Sequence, residues 1–77
     1  RSGLSYKENK ELEALPGLIE ALEAEQGGIA ARLADPALYR AEPAVVAQLN
    51  ARTQAIEMEL ESLLARWEYL EARQAGG

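Results

Sequence analysis

Between Val46 and Leu70 the apolar and near-apolar residues recur at alternating steps of three and four: Val46, Leu49, Thr53, Ile56, Leu60, Leu63, Trp67, Leu70. Sustained over more than three heptads, this spacing describes a helix of about seven turns. Its buried stripe is too narrow for a globular core and suits one or two partner helices. The chain supplies such a partner itself. Leu12, Leu15, Ile19, Leu22, Gln26, Ile29 and Leu33 keep the same rhythm. The sequence therefore predicts an all-α fold, a two-stranded antiparallel coiled-coil hairpin.

Local signals divide the hairpin. Ser5-Tyr6-Lys7-Glu8 is a capping box in which each end of the motif satisfies a backbone amide of the other, so a helix is expected from Tyr6. Pro16 lacks an amide donor and crowds the carbonyl of Leu12, which predicts a kink or short break after Leu15. Gly27 and Gly28 fall at outward heptad positions, where each costs about 1 kcal/mol relative to alanine without opening the seam. Asp35-Pro36 reads as an N-cap and a first-turn proline that launch a short turn through Ala37, Leu38 and Tyr39. Glu42-Pro43 starts the long helix. One domain results, with a first arm over about 6–34 and a break at Pro16, a tip over 35–42 and a second arm over about 43–73. Residues 74–77 are expected to fray. Leu38 and Tyr39 are expected to close the seam over Leu33, Val45 and Val46. Leu4, Tyr6, Trp67 and Leu70 are expected to fasten the open end as an aromatic cluster.

Antiparallel helices pair residues whose numbers have a constant sum, and two sums fit the heptads. A sum of 82 places Glu23 beside Glu57 and Arg32 beside Arg52, which repel. A sum of 75 pairs Ile29 with Val46, Ile19 with Ile56 and Leu12 with Leu63, and sets Glu25 near Arg52 and Glu11 near Arg66, which attract. Flanking ion pairs contribute about 0 to 1 kcal/mol each, yet their sign separates registers with similar apolar layers, and it favours 75. Gln26 and Thr53 then form a polar step in adjacent layers, of the kind that fixes register.

Chemistry is harder to find. The 77 residues include no cysteine, histidine or phenylalanine, so the usual soft-metal ligands and the commonest neutral-pH general base are missing. No phosphate-cradling glycine loop is present. Carboxylate pairs such as Glu57 and Glu61 read as a solvated face, because a hairpin hardly provides the shielded site that separates their acidities. No catalytic or metal-binding residues are assigned and no enzymatic activity is expected of the chain alone. The formal charge is −5, with an acidic middle and basic residues toward the two ends. Near the tip stand Arg32, Arg40 and Arg52 with Tyr39 between them, a combination that can grip phosphate and stack on a base. Short apolar runs and the absence of a readable signal or lipidation motif lead to an expectation of a soluble, cytoplasmic monomer with no membrane contact. The small size and the start at Arg1 suggest a piece of a longer protein.

Three segments carry a resemblance: Leu4-Ser5-Tyr6-Lys7-Glu8-Asn9-Lys10-Glu11-Leu12-Glu13-Ala14-Leu15-Pro16, Leu33-Ala34-Asp35-Pro36-Ala37-Leu38-Tyr39, and Arg66-Trp67-Glu68-Tyr69-Leu70-Glu71. In order and spacing they resemble the C-terminal domain of Uup-type ABC-F ATPases. The resemblance implies an antiparallel coiled coil belonging to a protein with two ATP-binding cassettes that uses ATP and Mg, with no cofactor in the hairpin itself. It also implies an accessory module for DNA or structured RNA without strong sequence preference, in a family tied to the ribosome. Lys7 and Lys10 join the candidate phosphate contacts on this ground, with Arg40 just beyond the tip motif. The alternative is a structural or protein-interaction coiled coil docking on its own ATPase domains or on the ribosome through exposed apolar residues such as Leu18 or Leu64.

Overall fold

The computed structural model describes residues 3–76 and contains three helices: α1 (Tyr6–Leu33), α2 (Pro36–Ala41) and α3 (Pro43–Gly76). The long helices lie antiparallel in a rod of 57 × 16 × 15 Å, with α2 turning the chain at the tip. Among the described residues there is no strand, and no helix is long and apolar enough to cross a membrane.

The starts of α1 and α2 each have a side-chain cap. The Ser5 hydroxyl accepts from the amide of Glu8 at 3.1 Å, and Glu8 Oε1 accepts from the amide of Ser5 at 3.0 Å. Asn9 adds a contact that the capping motif does not announce, donating from Nδ2 to the carbonyl of Ser5 at 3.0 Å. The Asp35 carboxylate accepts from the amide of Ala37 at 3.0 Å, ahead of Pro36 in the first turn of α2.

The seam is where the heptads place it. Leu15, Ile19 and Ile29 from α1 and Ile56 and Leu70 from α3 are buried, and the other seam residues between Leu12 and Leu70 are half-buried. Complete burial of a side chain such as Leu15, Ile56 or Leu70 contributes about 1.5–3 kcal/mol, and these few residues are most of the core. The register follows from the ion pairs. Arg52 meets Glu25 and Arg66 meets Glu11, each with Nε to carboxylate at 2.7 Å, which is the attractive pairing near a sum of 75. Thr53 satisfies its hydroxyl within its own helix, donating to the carbonyl of Leu49 at 3.0 Å.

Three expectations change. The helix is unbroken through Pro16, so of the kink or break allowed there the break is ruled out. Proline in a helix interior costs about 3 kcal/mol, but Leu15 and Ile19 on either side are both buried in the seam, and the ring itself is exposed. Tyr6 does not join the open-end cluster. It is 79% exposed on the outward side of α1, where Lys10 Nζ lies 5.6 Å from its ring centre, and only Leu4, Trp67 and Leu70 turn inward. Finally, α3 runs to Gly76, beyond the expected end of the second arm near 73; Gly77 lies outside the described residues. Arg73 anchors this end of α3, its Nη1 binding Glu8 Oε2 at 2.5 Å and its Nη2 the carbonyl of Gly3 at 2.7 Å.

Candidate nucleic-acid interface

The six candidate contacts fall into two groups at opposite ends of the rod. At the tip, Arg32 occupies the last turn of α1 and Arg40 the last turn of α2, where a cation complements the exposed carbonyls of a helix end. Both are exposed and neither forms an ion pair among the described residues. Tyr39 donates its hydroxyl to the carbonyl of Leu33 at 2.7 Å. That bond closes the end of α1 and fixes the ring, which remains 49% exposed. The aromatic face of Tyr39 is evident from sequence; the hydroxyl's structural task depends on the tip geometry.

Arg52 differs from its neighbours. Its Nε and Nη2 donate to the two oxygens of Glu25 at 2.7 and 2.8 Å, an interhelical fork that offsets its charge. That hydrogen bond raises the arginine's already high pKa and lowers that of Glu25. Arg52 thus has a role in holding the arms together, and Arg32 and Arg40 are the tip's unneutralised cations.

At the other end Lys7 is exposed and forms no ion pair among the described residues. Lys10 reaches Glu13 at 3.7 Å and stands over Tyr6, a loose arrangement with both charges largely in water. Beside them is a group absent from the sequence-based candidates. Arg66 and Arg73 place their guanidinium carbons 5.3 and 5.5 Å from the centre of the Tyr69 ring, which is 50% exposed. Each arginine is also tied across to α1, Arg66 to both oxygens of Glu11 and Arg73 to Glu8. The spacing Arg66, Tyr69, Arg73 is the i, i+3, i+7 signature of one helix face, a signal that the sequence does carry.

The carboxylates of these pairs are held below their usual range. For Glu8 the largest cause is the amide of Ser5, with Arg73 adding to it, and for Glu11 it is the hydrogen bond from Arg66. Elsewhere the shaft is acidic and open: Glu20, Glu23, Glu57, Glu59 and Glu61 are exposed without an ion-pair partner among the described residues. No group of three acidic side chains converges as metal ligands among those residues. The rod thus offers anion contacts at its ends and repels anions from much of its middle.

Residues 3–72 match the model of the ABC transporter C-terminal domain. The chain is 42% identical over 76 residues to the ATP-binding protein Uup of Escherichia coli, which covers 99% of this chain and 12% of that protein. It is 45% identical over 71 residues to Uup of Haemophilus influenzae, covering 91% of this chain and 11% of that protein. Among solved structures it resembles, with a TM-score of 0.85 and 42% identity, the C-terminal domain of a Uup protein described as a DNA-binding coiled coil motif; the match covers 99% of this chain and 89% of that one.

Proposed function

The chain belongs to the ABC transporter C-terminal domain family, of the Uup type, and on that premise we propose that it is a non-enzymatic accessory domain that binds DNA or structured RNA without strong sequence preference. The observation that carries this reading is the set of exposed cations left unneutralised at the two ends, Lys7, Arg32 and Arg40, in a chain whose other described cations all have carboxylate partners. A free cation keeps its whole attraction for phosphate, and release of condensed counterions makes such binding favourable and steeply salt-dependent. The DNA-binding coiled coil to which the chain is similar gives the same direction. Tyr39 offers a half-exposed ring beside the tip arginines, and Arg52 and Lys10 contribute through charge only partly offset by Glu25 and Glu13.

The relatives are ATP-binding proteins of which the chain spans about an eighth or less. Hydrolysis of ATP with Mg, cytoplasmic residence and contact with the ribosome or with ATPase domains belong to the proposal for the whole protein. A second reading, a protein dock, is favoured by Leu18, Met58 and Leu64, which are 51%, 74% and 43% exposed.

Titration of a fluorescent duplex and a structured RNA into the chain at two salt concentrations tests the proposal. Binding is expected at low salt and lost at high salt, and changing Lys7, Arg32 and Arg40 together to glutamine is expected to reduce the slope of log K against log salt by about 2 to 3. These three leave the interhelical bridges intact, so helicity is a valid control. Binding unchanged in the triple variant would remove Lys7, Arg32 and Arg40 as its contacts, and no wild-type binding at low salt would leave the protein dock as the reading to pursue.

A further inference from the structure

The charges are divided across the rod as well as along it. With the seam residues of both arms at heptad positions a and d, the bridges join g positions of α1 to g positions of α3, Glu11 to Arg66 and Glu25 to Arg52. The g edges of the two arms therefore meet on one flank, with the c positions just outside them, and the e and b positions form the opposite flank. Arg32, Arg52, Arg66 and Arg73 all occupy g, and Lys7 and Tyr69 occupy c. Against these five cations the g and c positions hold Glu11, Glu25 and Glu59, and Glu8 reaches Arg73 from a seam position. The opposite flank carries Glu13, Glu20 and Glu23 from α1 and Glu57, Glu61, Glu68 and Glu71 from α3, and no lysine or arginine.

We propose that this g/c flank is a lengthwise track for the phosphate backbone of duplex nucleic acid, bounded by Lys7, Arg73, Tyr69 and Arg66 at the open end and by Arg52 and Arg32 toward the tip. It rests on the nucleic-acid reading above and specifies how the ligand lies. The bridged arginines remain available to it. Arg52 and Arg66 hold their glutamates by the Nε–Nη2 side, and a guanidinium has five N–H groups in a rigid plane, so the Nη1 side stays open to a second acceptor. Their side chains are 43% and 40% exposed. The glutamates fix the forks in place, and the Tyr69 ring, with the guanidinium carbons of Arg66 and Arg73 5.3 and 5.5 Å from its centre, joins them in one cationic patch.

Length supports the match. From the level of Val45, beside Arg32, to Arg73 the track extends for about 42 Å at 1.5 Å per residue. That is the length of about 12 base pairs. The acidic flank would face away from the ligand, which lets a chain with a net charge of −5 bind a polyanion on one side.

Two double variants that add the same charge to the whole chain provide the test. Ala21→Glu with Ser62→Glu places two carboxylates at exposed c positions in mid-track, and Asn50→Glu with Gln54→Glu places two at exposed e and b positions on the opposite flank. Each is titrated with a 12-base-pair duplex at low salt beside the wild type, after its helicity is checked by circular dichroism. The track predicts about tenfold weaker binding for the first pair and less than a twofold change for the second. Equal weakening of both pairs, or none in the first, would overturn the track while leaving nucleic-acid binding at the ends in place. Absence of wild-type binding would overturn the track and the reading it rests on together.

Discussion

At the residue scale the open end of the hairpin is tied by a glutamate that serves two partners. Glu8 accepts the amide of Ser5 and a guanidinium N–H of Arg73, so a helix cap and an interhelical bridge share one carboxylate. Glu8, Glu11 and Glu25 are all held below the ordinary glutamate value of 4.5. A carboxylate whose pKa is lower folded than unfolded contributes stability above its unfolded value, and that contribution disappears as pH falls through the folded value. The thermal midpoint is expected to stay flat from pH 8 to about pH 5 and to fall below about pH 4.5. Glutamine at all three positions should lower the midpoint at pH 7 and flatten the acid limb, which circular dichroism melts across this range would measure. Glu11–Arg66 and Glu25–Arg52 are legible in the sequence because register and charge sign determine them. The bond from Arg73 to Gly3 and that from Tyr39 to Leu33 are not, because each depends on how an end of the rod folds over and not on periodicity.

At the scale of the element, α1 is a helix that carries its own breakers. Pro16, Gly27 and Gly28 all lie on its exposed side, and nothing stands within 4 Å of a methyl group added at Gly27 or Gly28. Alanine at either glycine is expected to stabilise the hairpin by about 1 kcal/mol, read as a shift in urea unfolding with an unchanged slope. Seam and surface should respond very differently. Ile56 is fully buried and its change to alanine is expected to cost about 2–5 kcal/mol, whereas the same change at Met58, two residues away and 74% exposed, should stay within about 0.5 kcal/mol. A chain of this size has about 3–5 kcal/mol in all, so the Ile56 variant should lose most of its helical signal at 25 °C. The heptad phase alone makes this contrast readable. It also keeps α1 continuous where proline chemistry taken locally suggests a break, since Leu15 and Ile19 occupy the seam on both sides of Pro16.

The whole molecule is a rod 57 Å long with one thin seam, and its affinity for an anion should be modest for the same reason that its stability is. Few groups are buried, few cations are free, and each phosphate contact is screened by salt within about 8 Å at physiological ionic strength. Sequence and register make the two arms and the candidate cations legible, but the sign of the field around the rod emerges only when the flanks are known. Binding by one hairpin is then best regarded as one contact of several, made effective when another part of a larger assembly already holds the nucleic acid nearby. A tandem repeat of the hairpin isolates that effect without the rest of the protein. Two copies joined by a flexible linker long enough to let both rods reach one duplex should bind about 100-fold or more tightly than one copy at the same salt, because the second engagement is intramolecular. Shortening the duplex so that it accommodates a single rod should return the tandem to the affinity of the single copy. A tandem gain that persists on the short duplex would mean that the two copies make a site together that neither has alone.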